Sequence, residues 1–484
     1  MKIPEEIIKI LNKLEEAGFE AYVVGGCVRD FILDIEPKDW DITTNAKPEE
    51  IQKVFGEENT FYENQFGTVG IKTGSEPEAL SVVEATTYRT ESKYTDKRHP
   101  DEIKFADKLE DDLGRRDFTV NAMAMNSNGD ISDPFGGEGD LKNKILKAVG
   151  DPEERFNEDA LRMLRAVRFA VTINLNIEEK TFKAIEKHHE LLKMISKERI
   201  RDEFRKIIDS NGATRGIEIL KDTGLMKYIM PELLEGVGVG QNKHHIYTVW
   251  EHNLRALQYA MDKKYSTVVR MASLLHDVGK PQTKRGEGEE ATFYGHEIVG
   301  ARMATKFLDR LHWPKKEAED IVRLVRYHLF YYNVGEVTES SVRRLVANIG
   351  RENVEDLIKV READRIGSGV PKARPYKLRH LMFMIDKVSR DPISPKMLEL
   401  NGDELMKLLG LEPGPKVGLL INALMGEVLD DPDRNNKDYL VNRVKELNEM
   451  PDSDLFELAK LGQTKTTEEE DREISKIKSK HYVT

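Results

Sequence analysis

Residues 25–44, Gly-Gly-Cys-Val-Arg-Asp-Phe-Ile-Leu-Asp-Ile-Glu-Pro-Lys-Asp-Trp-Asp-Ile-Thr-Thr, constrain this chain more than any other stretch. Just before them, Tyr22, Val23 and Val24 predict a short strand that runs into a Gly25-Gly26 turn. Glycine has no Cβ, so backbone here can come close to a phosphate. Val28 to Leu33 predicts a helix start, with its free amides and Arg29 facing the same place. After a turn at Pro37, alternation along a second strand puts Asp39 and Asp41 on one face and Trp40 on the other. Two carboxylates so placed can bridge a hard divalent cation. Either half alone reads as a glycine turn or a solvated acidic loop. Together they suit metal-assisted phosphoryl chemistry.

Three later stretches bear on the same chemistry. Glu84 interrupts the apolar run Leu80 to Ala85, where an unpaired charge would be costly. It needs either a salt-bridge partner or a role. Arg115 and Arg116 precede the stretch Phe118 to Ala122, and paired guanidinium groups match phosphate oxygens in a fixed fork. Glu158 to Ala170 predicts an amphipathic helix, with Met163, Val167 and Ala170 along one side and Arg162, Arg165 and Arg168 across the other. Within it Asp159 and Arg162 are i,i+3 neighbours, which alone would be an ion pair worth ~0.2–0.5 kcal/mol.

At this spacing residues 25–44 resemble the head signature of the class II tRNA nucleotidyltransferases, the CCA-adding enzymes of the polymerase-β-like superfamily. Arg115 to Ala122 resembles that family's RRDxTxNA motif, and Glu158-Asp159 with Arg162 its EDxxR motif. The chain departs from the pattern at Asp34, where the family usually has glycine. The resemblance implies an α+β fold: a polymerase-β-like head with a mixed sheet, then an all-helical neck, HD body and tail. It implies Asp39 and Asp41 as magnesium ligands, with Glu84 as a third catalytic carboxylate. Gly26, Arg29, Arg115 and Arg116 would hold the phosphates of CTP or ATP. Asp159 and Arg162, with Arg165 and Arg168, would bind the nucleotide base. A carboxylate accepts from the exocyclic amine of cytosine or adenine and an arginine donates to the adjacent ring acceptor, whereas uracil and guanine present a carbonyl oxygen instead. The polar segment 91–101 stands where the family has a flexible loop that CC-only enzymes usually lack. An A-adding enzyme working after a separate CC-adding partner is the nearest alternative. A metal phosphohydrolase with an RNA-binding head is another, although intact Asp39, Asp41 and Arg162 argue against a mere binding module.

A second constellation starts near residue 240. His252 lies in a helical stretch, His276-Asp277 follows an apolar run, and His296, His328 and Asp364 come after it. This order resembles the HD-domain phosphohydrolases. It implies His252, His276, Asp277 and Asp364 as ligands of a divalent transition metal, with His296 and His328 as further candidates. His244 and His245 compete for the first position, but a helix would hold His252 more rigidly. By resemblance the substrate is a 2′,3′-cyclic phosphate or phosphate monoester at a damaged tRNA end.

With 484 residues the chain is too long for one core. The expected boundaries are 1–150 for the head, 151–235 for the neck, 236–390 for the HD body, 391–460 for a helical tail and 461–484 for a mobile tail. Charged residues make up 33% and the net charge is −12, so contact with tRNA must use local basic patches such as Lys372, Arg374, Lys377 and Arg379. Cys27 is the single cysteine, which excludes an intramolecular disulfide and a cysteine-based zinc site. Met1 to Glu6 lacks a signal-peptide pattern and no apolar run reaches membrane-spanning length, so a cytoplasmic location is expected.

Overall fold

The computed structural model describes residues 2–64, 67–92, 102–242, 246–390 and 395–483. Its head is built on strands β1 (Ala21–Val24), β2 (Asp41–Thr44), β3 (Thr60–Asn64), β4 (Thr68–Lys72), β5 (Val82–Thr87), β6 (Arg89–Ser92), β7 (Glu102–Phe105), β8 (Ala124–Met125) and β9 (Ile131–Ser132). Seven of these form one sheet in the order β3-β4-β5-β2-β1-β8-β9. β2 and β5 pair in parallel and the remaining neighbours antiparallel, giving the mixed sheet the resemblance implied. Val23, Ile42, Val69, Val83 and Ala85 are fully buried in it. β-Branched side chains dominate those positions because they pack well on a pleated surface. The first helix, Glu5–Glu16, buries Ile7, Ile10, Leu11 and Leu14 at the spacing of one helical face.

Two stretches singled out in the sequence are divided between elements. Leu80 and Ser81 belong to a helical turn, Glu78–Ser81, and β5 begins only at Val82. The segment 91–101 starts as β6, which pairs antiparallel with β7, while residues 93–101 and Phe66 lie outside the described residues.

Beyond residue 150 the chain is almost wholly helical. The helix expected over 158–170 is two helices, Pro152–Glu158 and Leu161–Thr172. They part because Asp159 adopts an extended backbone with φ −130° and ψ 105°. Helix Lys197–Asp209 packs on Leu161–Thr172. The HD body uses helices Val249–Asp262, Thr267–Leu275, His296–Arg310, Lys315–Tyr327 and Val354–Gly367.

The chain forms two compact units, Met1–Leu329 with Asp356–Pro371, and Phe330–Glu355 with Lys372–Thr484. Head, neck and HD ligands thus share the first unit, and residue 390 is not a boundary. Helix Tyr376–Ser389 belongs to the second unit and packs on Glu339–Ile349 there. The second core gathers Leu405, Leu420, Leu424, Leu440, Val444, Leu447 and Leu455. Among the described residues, 390–450 holds the α-helices Gly402–Leu409, Pro415–Asp430 and Lys437–Glu449, as expected of a helical tail. The expected mobile tail is also corrected, because helix Asp452–Lys480 runs through it. That helix lies backbone to backbone on Pro415–Asp430 where Gly462 meets Gly426, and its end is tied down by His481 and Lys480 on Asp386 at 2.8 and 2.7 Å.

Candidate active site

In the head, parallel register sets Asp41 opposite Glu84 on adjacent strands, so both side chains leave one face of the sheet. Asp39 stands exposed just before β2, and Trp40 is buried behind it as alternation required. Burial pushes the Asp41 carboxyl up to about 6, helped by Asp39 and Glu84 and opposed by Arg116. Glu84 is raised as well, first by burial and then by Glu63 and Asp39. These carboxylates form an anionic face that a divalent cation would relieve, although they do not close to within 4.8 Å as a trio.

Among the two turn glycines, Gly25 is the one that sterics demand. Its φ of 84° is in the left-handed region, and a Cβ there would lie 2.7 Å from Arg116 Nη1. A Cβ on Gly26 would make an ordinary contact with the Arg29 guanidinium, its nearest atom Nη2 at 3.5 Å. Arg29 is buried and donates to Asp30 Oδ1 and, at 2.7 Å, to Asn121 Oδ1. Arg115 and Arg116 both pair with Asp112, at 2.9 and 3.5 Å. Asp112 is fully buried, which opposes its charge, yet the two arginines hold its carboxyl below the usual range. Asp117 is also buried, and Arg165 with Asn121 brings it down to about 2. Sequence reasoning missed Asp112, Asp117 and Asn121. Asp117 and Asn121 lay within the quoted motif, but nothing local marked them as the anchors of the arginines.

The base-reading candidates do not pair as their spacing suggested. Asp159 Oδ1 accepts from the Leu161 amide and Oδ2 from Arg199 Nη2, each at 2.9 Å. Arg162 instead donates to Glu158 Oε2 at 2.5 Å, the Arg155 carbonyl at 3.2 Å and the Arg115 carbonyl at 3.0 Å. The i,i+3 relation presumes a continuous helix, and the break at Asp159 removes it. Arg165 donates to Asp117 Oδ2 at 2.7 Å and Arg168 pairs with Glu203 at 3.2 Å. With Arg29 they surround the Phe169 ring, their guanidinium carbons 4.1 to 5.3 Å from its centroid. Arg165 thus ties the neck to the head, and Arg168 ties two helices of the neck.

The HD ligands converge tightly. His252, His276, Asp277 and Asp364 offer ligand atoms within 4.8 Å of one another, and so do Asp277, His296 and His328. His244 and His245 lie outside the described residues. His276, His296 and His328 each donate from Nδ1 to the carbonyl three residues back, Ser273, Phe293 and Val325, at 2.7–2.8 Å. That leaves each Nε2 as a bare lone pair aimed into the cluster. His252 Nε2 is 2.8 Å from His276 Nε2, and His296 Nε2 is 3.3 Å from His328 Nε2. Lone pairs facing each other so closely must share a proton or a cation, and a divalent metal suits this donor set. Without one, burial opposes a charge on His276 but Asp277 and Asp364 raise it to about 10, while burial lowers His328 to about 4. Lys280, also buried, lies 2.6 Å from Asp277 Oδ2 and donates to Gln241.

Three family models match the chain: Poly A polymerase head domain over residues 21–147, Probable RNA and SrmB- binding site of polymerase A over 174–236, and HD domain over 249–368. The CCA-adding enzyme of Lactobacillus delbrueckii subsp. bulgaricus is 36% identical over 425 residues, covering 87% of this chain and 93% of that protein. The A-adding tRNA nucleotidyltransferase of Deinococcus radiodurans is 36% identical over 338 residues, covering 66% of this chain and 76% of that one. Among solved structures, the Bacillus stearothermophilus CCA-adding enzyme in complex with CTP aligns with a TM-score of 0.59 at 28% identity, covering 93% of this chain and 98% of that one. The chain belongs to the CCA-adding enzyme family of tRNA nucleotidyltransferases and carries an HD domain. Both kinds of domain use divalent metal ions. No helix among the described residues is long and apolar enough to cross a membrane.

Proposed function

We infer that this protein adds CCA to the 3′ end of tRNA from CTP and ATP without a nucleic-acid template. The observation that carries this reading is the alignment of Asp41 with Glu84 on one sheet face, with Arg116 lying over Gly25 beside them. Asp39 and Asp41, with Glu84, are the residues to hold magnesium, which when bound supplies charge stabilisation at the reacting phosphoryl group. Arg115 and Arg116, fixed by Asp112, meet the triphosphate; the Gly25-Gly26 turn and the first amides of helix Gly26–Ile32 let backbone approach it. Arg29, buried on Asp30 and Asn121, holds that turn's shape. Asp159 accepts from the exocyclic amine of cytosine or adenine, and Arg162, steadied by the Arg115 carbonyl, donates to the adjacent ring acceptor. Arg165 and Arg168 fix that helix through Asp117 and Glu203.

The HD body hydrolyses a phosphate ester at a damaged tRNA 3′ end, which frees the hydroxyl that the head extends. Its imidazole-rich donor set suits a divalent transition metal, which supplies a more acidic bound water. His252, His276, Asp277 and Asp364 would hold it, with His296 and His328 beside Asp277. The test is incorporation of labelled CTP and ATP into tRNA lacking its 3′ end. Sequential C, C and A addition is expected; incorporation of ATP alone, and only on tRNA already ending in CC, would make this an A-adding enzyme.

A further inference from the structure

We propose that Arg199 is a positioning residue for nucleotide selection, aiming the Asp159 carboxylate at the pairing edge of the incoming base. The proposal rests on the base-reading role given to Asp159 above. Asp159 sits at an extended joint between two helices, where helical packing does not fix its side chain. Two bonds do fix it. The Leu161 amide takes Oδ1 and Arg199 Nη2 takes Oδ2, each at 2.9 Å. With both oxygens held, the carboxylate plane is set and each oxygen keeps a lone pair for the base.

Orientation is what discrimination requires. A fixed acceptor meets the exocyclic amine of cytosine or adenine and faces a carbonyl in uracil or guanine. A carboxylate free to swing can instead accept from the ring N–H of uracil or guanine, and the distinction weakens. Arg199 is well placed to prevent that. It lies on helix Lys197–Asp209, which also holds Arg168 through Glu203. The same helix is fastened to the HD body by Arg201, which donates to the His312 carbonyl at 2.6 Å, and by Arg205 on Glu317 at 2.9 Å. Its anchor is therefore a braced helix. Asp159 in turn orients the guanidinium, since the buried Nη1 of Arg199 has no acceptor among the described residues. Arg162 does not take this place: its Nη1 serves Glu158 and the Arg155 carbonyl and its Nη2 the Arg115 carbonyl, and no bond runs from it to the Asp159 carboxylate among the described residues.

The full-length protein is assayed on tRNA lacking CCA with each of the four nucleoside triphosphates separately, for the parent, Arg199→Met, Arg199→Lys, Asp159→Ala and the Arg199→Met/Asp159→Ala double variant. Arg199→Met is expected to lower the kcat/KM preference for CTP over UTP by about tenfold or more. Arg199→Lys restores most of it, and the double variant is no less selective than Asp159→Ala alone. Parent-like selectivity in Arg199→Met alongside relaxed selectivity in Asp159→Ala overturns the positioning role and leaves the base-reading role standing. Additive losses in the double variant overturn it too. Unchanged selectivity in Asp159→Ala removes the base-reading role and the proposal with it. Should Arg199→Met fail to show a cooperative melt, Arg199→Gln, which keeps one donor, replaces it, and parent-like selectivity there together with relaxed Asp159→Ala overturns the proposal equally.

Discussion

Asp277 divides its carboxylate between two imidazole sets: Oδ2 lies 3.0 Å from His252 Nε2, and Oδ1 lies 3.2 Å from His296 Nε2. Two candidate ligand groups thus share one carboxylate. Asp277→Ala should therefore abolish metal-dependent hydrolysis of cyclic and monoester phosphates while CTP and ATP incorporation stays within about twofold, because the head centre is built from other residues. Elemental analysis separates the subsites. His296→Ala is expected to lose part of the bound metal and Asp277→Ala nearly all of it; a parent protein that binds metal but hydrolyses neither phosphate class would make the HD body a scaffold.

Asp41→Asn should lower nucleotide addition by about a thousandfold and leave tRNA binding nearly unchanged, since binding is spread over many contacts. In chelator the same variant should melt at a higher temperature than the parent at neutral pH. The folded Asp41 holds its proton up to about pH 6, against 3.8 for the ordinary group. Folded protein thus binds more protons than unfolded protein between those values, and parent stability falls as pH rises through them. Roughly 1–3 kcal/mol is at stake. A variant that adds nucleotides at the parent rate would remove Asp41 from the site.

Asp117 has the opposite sign. Its carboxyl is held down to about 2 by Arg165 and Asn121, against 3.8 for the ordinary group. Its stabilisation is present above about pH 4 and disappears as pH falls toward 2. Asp117→Asn should cost roughly 2 kcal/mol at pH 7 and show a shallower acid-denaturation profile, read by circular dichroism. Equal profiles for parent and variant would deny the Arg165 pair any energetic role.

Gly462→Ala should destabilise the second unit by roughly 1–3 kcal/mol. The new Cβ would lie 2.0 Å from the Asn422 carbonyl oxygen, a backbone atom with little room to yield. Gly418→Ala, on the partner helix with nothing within 4 Å, is the control and should be neutral or stabilising by up to about 1 kcal/mol. Hydrogen exchange in helices Pro415–Asp430 and Asp452–Lys480 measures both.

What the sequence disclosed was local. Tyr22 to Val24, the glycine turn and buried Trp40 follow from period and turn chemistry over a few residues. The HD ligands were legible because His252 and Asp364 lie within helices, while His276, His296 and His328 stand at helix ends. What escaped were partners far apart in the chain. Asp159 meets Arg199 and Arg165 meets Asp117 across 40 and 48 positions, and no spacing rule reaches so far. The C-terminal helix was hidden for the same reason: residues 464–480 carry no strong apolar stripe, and the helix is anchored by the Gly462 contact and by Asp386.

The chain leaves the first unit at Phe330 and re-enters it at Asp356, before Asp364 completes the HD ligands. A gene fusion at one junction could not have attached the second unit to a finished first one. Exchange of that unit between relatives would require two matched crossovers, or would deliver Asp364 from a foreign parent. The HD ligands and the helices of the second unit are thus expected to be inherited together, and hybrids joined at a single point between residues 330 and 355 should fold worse than those joined after residue 371.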